Sequence, residues 1–301
     1  MIMGKKGSRT GTLVKFVLLV LGVVVILTVQ WDFMVFLPAH GGNGDDDGLK
    51  VGAFNVQVFG TTKAAKEEVM DVLGDVIRSY DIIAIQEIRD STGTALPALL
   101  EEVNSDGSAY AYVASDRLGR TVSKEQYAYF YDTQTCWLIG TPQTYPEPEG
   151  DVFHREPYAA YFSSREGAFT AVLITVHTDP DEAEEEIDAL AEVVPWAMEA
   201  FGGEEDVIVM GDFNADGVYF DEETYPSLRA SGYTWLITND MDTTTGPTDC
   251  TYDRIVITDS LLLDGYTGSK GVDRFDLTYG LDAGLTSAVS DHYPVYAVFA
   301  D

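Results

Sequence analysis

Carboxylates at Glu87, Asp212 and Asp291, amides at Asn55 and Asn214, and imidazoles at His177 and His292 all stand at the edges of apolar, strand-like runs. Oxygen donors of this kind suit a hard divalent cation. Magnesium takes one or two carboxylates, keeps several waters and commonly completes its shell with a substrate phosphate. The chain has four histidines and two cysteines in no zinc-like spacing, so a zinc centre is not expected. Singly, each residue has a plainer reading, because Asn and Asp favour turns and a lone His is more often structural. Only their convergence points to a site.

Such groups need a scaffold, and the apolar patterning supplies one. Lys50 to Phe59 alternates Val51, Ala53, Val56 and Val58 with more polar positions, as a strand does. Lys63 to Ser79 has helical spacing through Val69, Leu73, Val76 and Ile77, and Asp81 to Gln86 holds the buried-strand run Ile82-Ile83-Ala84-Ile85. Further strands are expected at Tyr110 to Ala114, Tyr127 to Tyr131, Tyr158 to Phe162, Ala168 to His177, Val207 to Met210, Thr251 to Ile257 and Tyr293 to Phe299, with a helix over Glu184 to Phe201. Many strands among few helices predict two packed sheets flanked by helices. The polar groups then fall in strand-end loops, where a rigid scaffold presents reactive side chains.

The formal net charge is -32, from 50 acidic and 18 basic residues. Four of the basic residues (Lys5, Lys6, Arg9, Lys15) lie before residue 41. Such a surface repels polyanions at low salt. Runs such as Asp45-Asp46-Asp47 and Glu204-Glu205-Asp206 read first as solvated loops. The sharper reading is a halophilic acidic surface, because self-repulsion fades when the Debye length falls to about 3 Å in molar salt. Cys136 and Cys250 make no disulfide framework, so apolar burial must hold the core.

Lys5, Lys6, Arg9 and Lys15 precede the apolar run Phe16 to Val29, a second apolar stretch follows to Ala39, and basic-then-apolar is the pattern of a targeting segment. Residues 1–40 are read as a signal peptide or membrane anchor, 41–48 as a Gly/Asp-rich linker, and 49–301 as the catalytic domain. Positive-inside bias places that domain outside the membrane, either secreted or held at the cell surface.

Several motifs, in order, resemble the deoxyribonuclease I branch of the endonuclease/exonuclease/phosphatase family. They are Phe54-Asn55, Gln86-Glu87-Ile88-Arg89-Asp90, Arg155-Glu156-Pro157, Gly211-Asp212-Phe213-Asn214, Tyr252-Asp253-Arg254 and Ser290-Asp291-His292. The resemblance runs from about Leu49 to the C-terminus. It implies a four-layer α/β/β/α sandwich and a DNA endonuclease, expected as a monomer, using Mg2+ or Mn2+. By the same resemblance Glu87 and Asn55 lie at the metal, Asp212 and Asp291 stand opposite, and Asn214 contacts the scissile phosphate. His292 pairs with Asp253 as base and His177 with Glu125 as acid, roles that can be exchanged. Arg155 is expected on substrate phosphate and Arg89 in the minor groove of duplex DNA.

Departures from the family pattern matter too. Gln57 stands where animal enzymes have an arginine that assists phosphate binding, and Ser123 where they have a tyrosine stacked on a sugar. Gly217 replaces the first cysteine of the family disulfide, leaving Cys250 without its match. Asp151, the Phe153 carbonyl and Glu156 match one structural Ca2+ site, and Asp242, Thr244 and Thr248 partly match another. A phospholipid headgroup or small phosphate ester is the alternative substrate. A scaffold retained only for binding is disfavoured by the intact catalytic set.

Overall fold

Along each central strand every second residue is apolar and inward-facing, and the series ends in a polar group. In β1 (Leu49–Phe59) the series Leu49, Val51, Ala53 runs on to Asn55; in β2 (Ile82–Ile88), Ile82 and Ala84 run on to Gln86. Across the core, Ala171 and Leu173 of β7 (Thr170–His177) lead to Thr175 and His177. Ile208 and Met210 of β8 (Val207–Asp212) lead to Asp212, and Ile257 and Ile255 of β10 (Asp253–Thr258) lead back to Asp253. The sequence period that buries the core therefore also aims the polar groups at one end of it.

The chain is a computed structural model describing residues 48–301, Glu149 excepted. The expected signal or anchor (1–40) and all but the last residue of the linker lie outside the described residues. Among the described residues no helix is long and apolar enough to cross a membrane.

The remaining strands are β3 (Tyr110–Ala114), β4 (Gln126–Asp132), β5 (Cys136–Thr144), β6 (Tyr158–Ser164), β9 (Tyr233–Trp235), β11 (Tyr266–Val272) and β12 (Val295–Phe299). They form two mixed sheets of six strands, ordered β11-β12-β1-β2-β4-β3 and β5-β6-β7-β8-β10-β9. Between the sheets pack Val51, Ile82 and Tyr129 from one side and Phe162, Leu173, Met210 and Ile255 from the other. The outer face of the first sheet, through Phe54, Ile83, Ile85 and Phe130, meets helices Glu67–Arg78 and Ala95–Val103. The outer face of the second, through Val172, Ile174 and Val209, meets helix Ala183–Ala200. This is the expected α/β sandwich.

The strands that the sequence did not signal, β5, β9 and β11, include both edges of the second sheet and one edge of the first. β5 is largely exposed and β11 contains Gly268 and Gly271, so neither carries a one-sided apolar alternation. Cys136 is buried and both cysteines are free. A Cβ added at Gly217 would lie 3.6 Å from Cys250 Sγ, so the missing cysteine is spatially where the resemblance placed it.

Candidate active site

Parallel pairing sets His177 beside Asp212, and antiparallel pairing sets Asp253 on the other side of Asp212, so the three form one row across β7, β8 and β10. Asp212 Oδ2 lies 3.6 Å from Nε2 of both His177 and His292. Each ring is held from behind by its own carboxylate: His177 Nδ1 is 2.9 Å from Glu125 Oε2, and His292 Nδ1 is 2.8 Å from Asp253 Oδ2. The two pairings read from the sequence are both present. The His292 turn is fixed by Ser290, whose hydroxyl donates to Asn55 O at 2.6 Å and accepts from His292 N at 3.1 Å.

The other half of the site comes from a strained stretch of the first sheet. The β1–β2 register shifts between Asn55 and Phe59, and Gln57 and Val58 have φ of 42° and 55°. Bulges of this kind re-aim side chains beside active sites, and a β-branched residue at positive φ marks real strain. The payoff is local: Gln57 N donates to Asn55 Oδ1 at 2.9 Å and Val58 N to Glu87 Oε2 at 2.9 Å. Glu87 itself has φ of 60°, which interrupts the strand alternation and brings its carboxylate to Asn55. Asn55 Nδ2 then donates to Glu87 Oε1 at 3.2 Å and Asp212 Oδ2 at 2.9 Å.

Electrostatics divide the ionisable groups sharply. Burial alone would raise Asp212, but the two imidazoles, Asn214 N and the Asn55 amide hold its carboxyl below the usual range. Burial likewise opposes ionisation of Glu125, yet His177, Arg155 and Arg89 bring it down to about 2. Against its own burial, His292 is raised to about 10 by Asp253 and Asp212. His177 is raised too, with burial and Arg155 opposing Glu125 and Asp212. Both shifts favour the charged ring, and a cation bound beside Asp212 would oppose them by taking up part of that carboxylate's charge.

Two carboxylates, Glu87 and Asp212, share one neutral amide donor between them. Carboxylate and amide groups are the donors a hard cation takes, so Glu87, Asp212 and Asn55 are the residues that would hold one, where Arg89 now faces Glu87 and the two imidazoles face Asp212. Asp212, Asp253 and His292 also lie close enough to share an ion, but there a metal would compete with the His292–Asp253 hydrogen bond. The all-oxygen set is the better match. Asp291 sits at the exposed rim, its Oδ1 3.9 Å from His292 Nε2.

Profile comparison matches residues 52–292 to the endonuclease/exonuclease/phosphatase family. The chain belongs to that family. It is 38% identical to human deoxyribonuclease-1 over 262 residues, covering 82% of this chain and 90% of that protein. It is 37% identical to mouse deoxyribonuclease-1-like 2 over 257 residues, covering 83% and 91%. These relatives place it in the deoxyribonuclease I-like branch. Among solved structures, a family protein from Bacteroides vulgatus superposes with TM-score 0.58 at 15% identity, covering 83% of this chain and 97% of that one. Humanized D. rerio TDP2 gives TM-score 0.58 at 15% identity, covering 85% and 100%. At that identity the two structures support the fold alone.

Within this family site the two arginines are more constrained than their sequence motifs suggest. Arg155 is buried beneath the cleft, donating to His177 O and Thr178 O at 3.0 Å each and lying 3.5 Å from Glu125. Arg89 Nη2 bridges Glu87 at 3.1 Å and Glu125 at 2.8 Å, tying the two halves of the site together. Asn214, at φ 48°, donates from its amide to Thr178 O at 3.1 Å and from its backbone to Asp212 Oδ1 at 2.9 Å.

At the expected calcium positions, Asp151 pairs with Arg120, which also bonds Val152 O and Glu182, so this loop already carries a cation. Phe153 buries its ring against Tyr145, and Glu156 is half-buried. Asp242 Oδ1 accepts from Thr244 N and Cys250 N, and the single Thr244 hydroxyl proton is within reach of both Asp242 Oδ1 and Thr248 O, so the second set closes on itself.

Sequence reasoning missed Lys63 and Glu186. Buried Lys63 donates to Val56 O at 2.8 Å and Val289 O at 3.0 Å, joining the bulge to the His292 turn. Glu186 is fully buried, with Oε1 accepting from His154 N at 3.0 Å and Asp179 N at 3.2 Å and Oε2 unpartnered. An acidic run such as Glu184-Glu185-Glu186 reads as solvated, and only its helical phase could have singled out the third member. Burial raises the Glu186 carboxyl from 4.5 to about 7. The folded state thus holds this proton more tightly than the unfolded chain, so stability falls as pH rises from the unfolded value through the folded one. Glu186→Gln is expected to stabilise the protein by about 3 kcal/mol near pH 8 and to change little near pH 4. Urea unfolding at the two pH values checks this; equal effects at both would exclude ionisation as the cause.

Proposed function

We propose that the chain is a divalent-metal-dependent DNA endonuclease that acts outside the cell, secreted or tethered by its N-terminal segment. The observation that carries this reading is the pair of His–carboxylate dyads facing each other across Asp212, beside the Glu87–Asn55 cation position. The naming of the curated relatives as deoxyribonucleases supports DNA as substrate, and the basic-then-apolar N-terminus supports export.

Hydrolysis needs a water to lose a proton and the leaving alkoxide to gain one, with both groups converging on a single phosphate. His292 is assigned to the water and His177 to the leaving oxygen. The two rings are equally distant from Asp212 Oδ2, so the geometry also permits the reverse assignment. Glu125 and Asp253 fix the tautomer and orientation of their rings. Glu87, Asn55 and Asp212, with Asp291 at the rim, would hold Mg2+ or Mn2+, which when bound neutralises charge on the phosphoryl oxygens. Asn214 orients the phosphate, and Arg155 supplies positive charge from below. Arg89 can enter a DNA groove only by leaving Glu87 and Glu125.

That engagement of Arg89, with Gln57 and Ser123 standing where the family pattern has arginine and tyrosine, favours one second reading, a small phosphate ester or lipid headgroup. The test is plasmid nicking with magnesium, with and without calcium, from low to molar salt, beside lipid and sugar phosphates. Metal-dependent nicking that persists in molar salt is expected. Folded protein that nicks at no salt but releases phosphate from an ester would sink the DNA reading and leave the family chemistry intact.

A further inference from the structure

Behind the catalytic run, at the β9 edge of the second sheet, lies a cavity of about 500 Å³ lined by Tyr225, Arg229, Tyr233, Trp235, Asn239 and Asp240, among others. It is separate from the His177–His292 cleft. Arg254 follows Asp253 in β10 and so projects from the opposite face of the strand. The cavity wall adjoins the catalytic run all the same: the Trp235 ring is 6.0 Å from Phe213, and Arg254 Nη2 donates to Ala215 O at 2.9 Å.

Its charge is unusual for so acidic a chain. The Arg229 guanidinium lies 4.6 Å from the Trp235 ring centre and that of Arg254 lies 5.6 Å from it. One neutral oxygen, Asn239 Oδ1, accepts from both, at 3.3 Å from Arg229 and 3.1 Å from Arg254. The other acceptors of Arg254 are the carbonyls of Ile237 and Ala215, and Nε of each arginine is buried without a partner. Asp216, Glu222 and Asp253 favour the charged form of Arg254 without a direct ion pair, and Glu222 interacts with Arg229 too, but burial together with the Arg229 charge pushes Arg254 down to about 10. Arg229, which lines the cavity, has the neutral Asn239 oxygen as its one hydrogen-bond acceptor among the described residues, and a phosphate would offer its donor fork a charged one.

The rest of the cavity suits a ring. It is far larger than an inorganic anion needs and falls within the roughly 300–1,000 Å³ typical of small-molecule sites. Tyr225 is 73% exposed, an aromatic face with nothing stacked on it among the described residues. Asn239 and Asp240 offer polar atoms at the mouth for the edge of a heterocycle. We propose that this cavity binds a nucleoside monophosphate, with its phosphate on Arg229 and its base against Tyr225 and Tyr233. The site stands independently of the DNA-cleavage reading, because neither the metal nor the histidines take part.

The experiment titrates the full-length chain, in EDTA, with deoxyadenosine 5′-monophosphate and follows tryptophan fluorescence, which Trp235 reports. Deoxyadenosine and inorganic phosphate are the comparison ligands. Saturable quenching is expected, with the nucleotide at least about tenfold tighter than either fragment. Arg229→Gln should weaken it by about tenfold or more through loss of the charged donor. Tyr225→Ala, at an exposed side chain whose removal leaves the core untouched, should weaken nucleotide and deoxyadenosine but not phosphate. His177→Ala should leave binding unchanged. Absence of saturation, equal binding of phosphate and nucleotide, or loss of binding in His177→Ala with retention in Arg229→Gln would each overturn the assignment.

Discussion

His292→Ala is expected to lower metal-dependent phosphodiester cleavage by about 10³-fold, and His177→Ala by a similar factor. Each ring is a buried member of a dyad that meets the other only through Asp212, so losing either leaves one proton transfer without its group. Because the two act on one phosphate, the double variant should fall little below the single ones. Turnover of supercoiled plasmid and of a small aryl phosphodiester checks this, with thermal unfolding as the control. If cleavage of both substrates stayed within tenfold of the parent while the fold was intact, the dyads would not be the catalytic groups.

The second large effect is on stability. Gly211 has φ of 140°, and a Cβ built there would lie 2.0 Å from Val176 O. That oxygen belongs to the neighbouring parallel strand, at the rung just before His177 pairs with Asp212. The clash is with backbone, so no side-chain rotation relieves it, and the conformation is one an alanine resists. Gly211→Ala should cost about 3–5 kcal/mol by overpacking and backbone strain together. It should also lower activity in the fraction that stays folded, because β7 and β8 can separate only by moving His177 from Asp212. Urea unfolding midpoints measure the first effect. A loss below about 1 kcal/mol would mean that the strand pair yields far more easily than a packed interior does.

Much of the site was legible because strand period and chemistry coincide. Asn55, His177 and Asp212 end alternations that the apolar residues announce, and the Asp253 and Asp291-His292 motifs stand at the mouths of strands. The helix expected over Glu184 to Phe201 is present as Ala183–Ala200. The edge strands β5, β9 and β11 were not legible, since an exposed strand need carry no apolar face, whereas the fourth edge, β3, was. The roles of the arginines were only half visible. A guanidinium's donors go to whatever oxygens the fold brings near, and for Arg155 these are His177 O and Thr178 O, carbonyls from a different strand end.

By itself the sequence determined which residue types could converge, the two-sheet architecture flanked by helices, the family branch, and the pairing of each histidine with its carboxylate through that resemblance. Tertiary structure alone decided that Asp212 is shared equally by both rings and that Arg89 spans Glu87 and Glu125. It also decided that Glu186 is buried, that Arg120 sits on the Asp151 loop, and that Arg229 and Arg254 compete for one amide oxygen. The division has a physical cause. Periodicity and motif are local properties of a chain, whereas burial and charge balance depend on which distant groups finally share a dielectric and a hydrogen bond.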